Sequence, residues 1–489
     1  MRTLQICAVV AALPIVSLAS GTACEKLTSL TIPNVTIRSA VMRSAGTFPG
    51  VAGALPEFCR VQAVAHPVAD SEIEFEVWMP AASSWNGKFQ GVGNGGYSGS
   101  ISNGALAQAL RLGFAAASHN TGHNGEDMTF GQGHPEKVVD YAHRAAHVMT
   151  ENAKLIVRSH LGRFADKAYF VGCSAGGHQA LSEAQRYPED YDGIIAGAPA
   201  NNRIGQTFGF LWSWMALHKD DGSPVIPPAK LPLVTKAVVQ ACDASDGLKD
   251  GLVGDPRKCK VDLSGILTGE EEAAVRKVWA GAKSPKTEQT IFPGFAMGSE
   301  NIGGQGWGRY LLDPKEPMRV DFFRYFLFHD PNWNFQTIDW DRDLAYANDK
   351  LPFFPAVDPD LSRFRKRGGK LLMYSGWSDP VVSPLDNVNY YEKVTKTMSG
   401  AAPVGDFFRL FMVPGMGHCG GGPGPDRFDG VAALDAWVTK GTAPQKMIAS
   451  HQTNGVVDRT RPLCPYPQVA RYKGTGSVDE AANFVCAVP

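Results

Sequence analysis

One pentapeptide, Gly172-Cys173-Ser174-Ala175-Gly176, constrains this chain more than any other stretch. It follows an apolar run at 168–172 that reads as a buried strand, and it precedes a helical pattern at 177–187. A G-x-S-x-G serine at a strand-to-helix junction occupies a sharp, crowded turn. The turn lifts the hydroxyl above the end of a sheet and tolerates only small neighbours. Such a junction implies a layered α/β architecture and makes Ser174 a candidate nucleophile. The competing reading is a glycine-rich turn whose serine only caps the following helix.

A serine hydroxyl needs a base, and the base needs an orienting carboxylate. Around a turn of this kind the chain order is serine, acid, histidine, with acid and histidine each just beyond a strand. Asp379 follows the apolar run 370–375 through Gly376-Trp377-Ser378, and His418 follows 407–413 through Pro414-Gly415-Met416-Gly417. Of 12 histidines only His418 and His451 lie beyond Asp379, and His451 lacks the strand-to-glycine approach. Asp386, Asp406, Asp426 and Asp429 are the rivals of Asp379, which beside Pro380 could also be an ordinary turn aspartate. The Ala175 N–H and one from Gly95 or Gly96, in the loop Gly93-Asn94-Gly95-Gly96, are the candidate oxyanion donors. That loop lacks the Lys-Ser/Thr ending and the G-x-G-x-x-G spacing of a phosphate site.

Nine cysteines are present. Residues 1–23 read as an export signal, with Arg2, an apolar run and small residues Gly21-Thr22-Ala23 before a cleavage point, and Cys7 would be lost with it. The eight that remain suggest four disulfides in a secreted or periplasmic protein. Cys24–Cys59, Cys242–Cys259 and Cys464–Cys486 are the local pairs, leaving Cys173 for Cys419. These two flank Ser174 and His418, so a formed triad would bring them within bonding reach. A lipidated Cys24 is the alternative at the N-terminus, and it would strand Cys59.

Apolar and helical segments alternate, with strand patterns at 72–79, 88–92, 114–118, 168–172, 193–198, 370–375 and 407–413 and helical ones at 135–159, 177–187 and 428–439. The alternation predicts a parallel sheet covered on both faces. Residues 204–350 break the rhythm with six tryptophans and many prolines and read as an inserted lid, or as helices decorating the same sheet. The main unit is then 24–203 with 351–489. Phe208, Phe210, Trp212 and Trp214 could clasp an aromatic group, though lid core is the plainer reading; Trp307 and Tyr310 are weaker candidates. His123, His134, His143 and His147 read as structural, with no metal among them. Asp243, Asp246 and Asp250, on a glycine-rich turn between Cys242 and Cys259, suit a hard cation as well as they suit a solvated acidic loop. Net charge is −1, from 47 basic and 48 acidic residues, so no overall positive field draws in nucleic acid or an anionic membrane. No stretch beyond the leader reaches a membrane-spanning length of apolar residues.

Together these residues resemble the tannase/feruloyl esterase family of α/β-hydrolases. The resemblance is carried by Cys173-Ser174, Asp379, His418-Cys419, the loop at 93–96, Asn120-Thr121-Gly122-His123, Asp140-Tyr141 with Arg144-Ala145-Ala146-His147, and the segment Cys242–Cys259. It implies an α/β-hydrolase fold with an inserted lid domain and a serine carboxylic-ester hydrolase acting on small esters of hydroxycinnamic or gallic acid through an acyl-enzyme. It also implies a Cys173–Cys419 bond and a Ca2+ held by Asp243, Asp246, Leu248, Asp250 and Leu252. Mono(2-hydroxyethyl) terephthalate hydrolysis lies within the same family. A peptidase on this fold and a non-catalytic binding protein are the rival readings. The sequence leaves oligomeric state open.

Overall fold

In a computed structural model, residues 21–313 and 315–489 are described. The expected leader, 1–23, lies almost wholly outside them. Nine strands form the central sheet: β1 (Val35–Arg43), β2 (Phe58–Ala65), β3 (Ile73–Pro80), β4 (Lys88–Val92), β5 (Ala115–His119), β6 (Lys167–Cys173), β7 (Gly193–Gly197), β8 (Lys370–Gly376) and β9 (Phe408–Val413). Their spatial order is β1-β2-β3-β5-β4-β6-β7-β8-β9. From β5 to β9 every neighbouring pair is parallel. The pairs β1–β2, β2–β3 and β3–β5 are antiparallel.

The sheet is therefore mixed, which corrects the all-parallel expectation. The cause is connection length. Parallel neighbours need a crossover of a dozen or more residues, whereas β2 ends at Ala65 and β3 begins at Ile73. Where crossovers are long, the strands are buried on both faces: every residue of β5 and β7 is buried. That double burial is why these segments read as short continuous apolar runs.

The crossover before β6 is one long helical run. Pro135 opens it, a π-helical turn at Asp140–Arg144 interrupts it, and it continues as Ala145–Leu161, ending on the left-handed Gly162. Pro at the start and Gly past the end are the favoured terminal residues of a helix.

Between β7 and β8 the chain leaves the sheet. Helices Arg203–Leu217, Leu231–Cys242, Gly269–Ala280 and Trp340–Lys350 and two short two-stranded ribbons fill that interval. Their apolar residues form two clusters: one includes Phe210, Val234, Val275 and Trp307 and reaches Val381 and Val382; the other joins Phe208, Phe322, Phe323 and Phe326 to Tyr97 and Tyr141. Beyond the helix Gly430–Lys440 come two hairpins, Met447–Thr453 with Val456–Leu463 and Val469–Tyr472 with Phe484–Ala487. The four expected disulfides are present: Cys24–Cys59, Cys173–Cys419, Cys242–Cys259 and Cys464–Cys486. Among the described residues no helix is long and apolar enough to cross a membrane.

Candidate active site

Ser174 lies between β6 and the helix Ala175–Arg186 with φ +63° and ψ −119°. A non-glycine residue with positive φ is strained and persists only where its surroundings fix it. Here the Ser174 N–H donates to the Gly197 carbonyl (2.9 Å), and the Ser174 carbonyl accepts from Ala200 (3.1 Å) and His178 (3.0 Å). The flanking glycine is forced by sterics: a Cβ on Gly172 would stand 2.3 Å from the Gly176 carbonyl oxygen.

The other two polar groups arrive from β8 and β9. Asp379, fully buried, accepts N–H bonds from Val381 (2.8 Å) and Val382 (2.9 Å) on Oδ1. Its Oδ2 meets His418 Nδ1 at 2.7 Å, and His418 Nε2 meets the Ser174 hydroxyl at 2.8 Å. The two backbone donors fix the carboxylate, the carboxylate fixes the ring, and the ring presents a nitrogen to the hydroxyl. None of the rival aspartates takes this place: Asp386 is buried in the first turn of the helix Pro384–Thr397 and Asp429 caps Gly430–Lys440. His451 pairs with Asp458 on the C-terminal hairpin.

The Cys173–Cys419 disulfide joins the immediate neighbours of Ser174 and His418, with Cα atoms 6.0 Å apart. Cys419 also has positive φ, +63°. A second tether was not legible in the sequence: the His418 N–H donates to Gln305 Oε1 (2.7 Å), and Gln305 Nε2 donates to the Gly420 carbonyl (3.2 Å). Gln305 lies in a two-residue strand of the inserted segment, where no local pattern marks it.

The loop 93–96 packs on the nucleophile's helix. Asn94 N–H donates to Gln179 Oε1 (3.1 Å), and Asn94 Nδ2 donates to the carbonyls of Ser100 (2.9 Å) and His119 (2.8 Å). Among the described residues Gly95 and Gly96 donate their N–H groups to no protein acceptor. Ala175 opens its helix, where the first N–H groups have no intrahelical partner and the dipole favours negative charge.

Asn120 and His123 support this loop from behind. Asn120 Oδ1 accepts from Glu74 and Gly122 (3.0 Å each), and His123 bonds the Tyr97 carbonyl (2.9 Å) while stacking on Phe130. His134 faces Asp70, His143 bonds the Tyr187 hydroxyl (2.7 Å) and His147 meets Asp190 (2.6 Å). Phe208, Phe210, Trp214 and Trp307 are buried within the insertion, so their bulk is core, and Tyr310 packs against the same core.

The acidic turn offers hard oxygen donors. Asp243 accepts from the N–H groups of Asp250 and Gly251 (3.0 Å each), Asp246 from Leu248 (3.1 Å) and Asp250 from Leu252 (3.2 Å). Burial, then the like charges of Asp250 and Asp243, push the Asp246 carboxyl above its ordinary range. Arg461 neutralises one of the three, bonding Asp250 Oδ2 at 2.7 Å. Two uncompensated carboxylates repelling each other on a disulfide-stapled turn suit a hard dication. The only side-chain trio among the described residues with ligand atoms all within 4.8 Å is His147, Glu183 and Asp190, elsewhere. In the acidic turn, backbone carbonyls would have to complete the shell.

With this geometry in place, the chain can be compared with known proteins. The family described as tannase and feruloyl esterase matches residues 59–487. The chain belongs to that family. An uncharacterized esterase of Xanthomonas campestris is 37% identical, across 96% of this chain and 91% of its own length. The mono(2-hydroxyethyl) terephthalate hydrolase of Piscinibacter sakaiensis is 34% identical, across 97% and 93%. The crystal structure of feruloyl esterase B from Aspergillus oryzae superposes with a TM-score of 0.86 at 27% identity, covering 95% of this chain and 99% of that one. This member of the tannase/feruloyl esterase family is an α/β-hydrolase-fold carboxylic-ester hydrolase.

Proposed function

We propose that the enzyme hydrolyses esters of aromatic acids, of the hydroxycinnamic or gallic type, through a Ser174 acyl-enzyme. The observation that carries this is the unbroken Ser174–His418–Asp379 chain at 2.8 and 2.7 Å. His418 Nε2 takes the hydroxyl proton as Ser174 Oγ attacks the ester carbonyl. Asp379 holds the ring and stabilises the imidazolium, and His418 then returns the proton to the leaving alcohol. Water repeats the sequence on the acyl-enzyme. The N–H groups of Ala175 and of Gly95 or Gly96 receive the oxyanion, each such donor counting for roughly 3–4 kcal/mol of barrier.

The aromatic acyl group follows from the names of the relatives, feruloyl esterase and mono(2-hydroxyethyl) terephthalate hydrolase, with the inserted segment 204–350 read as a lid. Asp243, Asp246 and Asp250 with the Leu248 and Leu252 carbonyls would hold a Ca2+, which would brace the insertion electrostatically and take no part in proton transfer. Four disulfides and the leader-like residues 1–23 support a secreted or periplasmic enzyme.

The test is Ser174→Ala with methyl ferulate and methyl gallate. Turnover should vanish while the fold is kept, and a fluorophosphonate probe should label only the parent protein. Undiminished hydrolysis in the variant would refute the assignment.

A further inference from the structure

The two candidate sources of oxyanion N–H groups belong to different pieces of chain. Ala175 opens the nucleophile's helix, whereas Gly95 and Gly96 lie in the loop that follows β4. They can serve one oxygen only if the spacing between loop and helix is held to a fraction of an ångström. Sterics fix the lower limit of that spacing. A Cβ on Gly93 would stand 2.5 Å from Gly176 Cα, and one on Gly176 would stand 3.0 Å from the Asn94 carbonyl oxygen. Backbone contact of this kind stops the loop from moving closer and does nothing to stop it moving away.

Gln179 supplies the opposing pull. It is 3% exposed and sits one helical turn beyond Ala175, on the same face. Side chains on a helix lean toward its N-terminus, so a long one at this position covers the first turn. Oε1 of Gln179 accepts the Asn94 N–H (3.1 Å), and its Nε2 donates to Asn94 Oδ1 (3.4 Å). The orientation of both amides is dictated by their partners. A backbone N–H can only donate, which turns Oε1 toward it. The carbonyls of Ser100 and His119 take both hydrogens of Asn94 Nδ2, which leaves Oδ1 for Gln179.

The rest of the loop is tied elsewhere. Gly93 N–H donates to the Val171 carbonyl in β6 (3.0 Å), and the Gly96 carbonyl accepts from the Tyr141 hydroxyl (2.7 Å) and Arg203 Nη2 (3.2 Å). Among the described residues, Gln179 makes both side-chain hydrogen bonds between the loop 93–96 and the helix Ala175–Arg186. Its partner Asn94 is the residue before Gly95, at the point where the loop turns away from the sheet.

We infer that Gln179 is a positioning residue for the oxyanion site. It sets the distance between the Ala175 N–H and the N–H groups of Gly95 and Gly96, and it acts on the transition state without touching the substrate. The inference rests on Ser174 as nucleophile and on these N–H groups as the oxyanion donors.

The variant is Gln179→Met, which keeps the length and volume of the side chain and removes both hydrogen bonds. With methyl ferulate, kcat should fall by about 10- to 100-fold with KM within about 2-fold of the parent, the pattern of an interaction made only in the transition state. Phenylboronic acid supplies a readout that a merely structural role would not move. The Ser174 Oγ lone pair forms the O–B bond, the hydroxyl proton passes to His418 Nε2, and the tetrahedral boron carries the negative charge with one B–OH in the oxyanion position. Its inhibition constant should rise in Gln179→Met by about the same factor as kcat falls. Calorimetric binding of methyl ferulate to Ser174→Ala and to Ser174→Ala/Gln179→Met should agree within about 2-fold. Parent-like kcat in Gln179→Met, or a fall in kcat with unchanged boronate inhibition, overturns the inference alone. Boronate binding of equal strength to the parent and to Ser174→Ala would instead sink the nucleophile and the inference with it.

Discussion

The Cys173–Cys419 disulfide gives the most quantitative prediction. It closes a loop of 246 residues in sequence separation. The chain-entropy treatment of cross-links assigns such a loop about 5 kcal/mol of stabilisation at 25 °C. With an unfolding entropy of about 2.1 cal/mol/K per residue, a chain of 489 residues converts this to a fall of about 5 °C in Tm. Cys173 is half-buried and Cys419 exposed, so a Cys173→Ala/Cys419→Ala double variant leaves little cavity to add to that figure. The control is Cys464→Ala/Cys486→Ala, whose separation of 22 residues gives about 3 kcal/mol by the same treatment. Calorimetric melting compares the two, and kcat on methyl ferulate separates stability from chemistry. The first variant should also lose up to about 10²-fold in kcat, because the neighbours of Ser174 and His418 are no longer pinned and small misplacements at reacting atoms are expensive. The control should keep its kcat. A first variant whose Tm stays within about 1 °C of the parent, or whose kcat matches that of the control, would refute the argument that this bond clamps the site.

Asp379→Asn should keep the fold and lower kcat by about 10⁴-fold, since the amide favours the wrong imidazole tautomer; parent-like kcat would exclude Asp379 as the orienting group. Gln305→Ala removes the acceptor of the His418 N–H and should cost about 1 kcal/mol of barrier, a several-fold fall in kcat with KM little changed. Burial raises the Asp386 carboxyl from 3.8 to about 7. The folded protein thus keeps that proton while the unfolded chain releases it, and stability falls as pH rises from about 4 to about 7. Asp386→Asn should match the parent at pH 4 and outlast it by on the order of 4 kcal/mol at pH 8; parallel denaturation curves at both pH values would contradict this. Chelation with EDTA should lower Tm in the parent and not in Asp246→Asn, whose turn has lost a donor; equal sensitivity of the two would remove Asp246 from the cation site.

What the sequence disclosed follows from how local each signal is. The Ser174 turn, the strands leading to Asp379 and His418, and the pairing of the cysteines were legible because strand burial on both faces, glycine-rich turns and cysteine spacing are written within short windows. The antiparallel edge was not. β1 buries only a few of its residues, in an irregular pattern, so its apolar signal is diluted among exposed positions. Gln305 was missed for another reason. Its role comes from a tertiary contact with His418 across 113 residues, which no window of sequence displays. The aromatic residues of the insertion were ambiguous in sequence because a ring that fills a core and a ring that faces a ligand present the same side chain.

The hydrogen bond between Gln305 and the backbone of His418 has an engineering consequence. The inserted segment and the triad are not separable parts. Transplanting another family member's insertion onto this scaffold to alter substrate choice would also replace the peg that seats His418. A chimera built for new selectivity should therefore carry an amide side chain at the equivalent position, or its turnover will fall before its preference can be read.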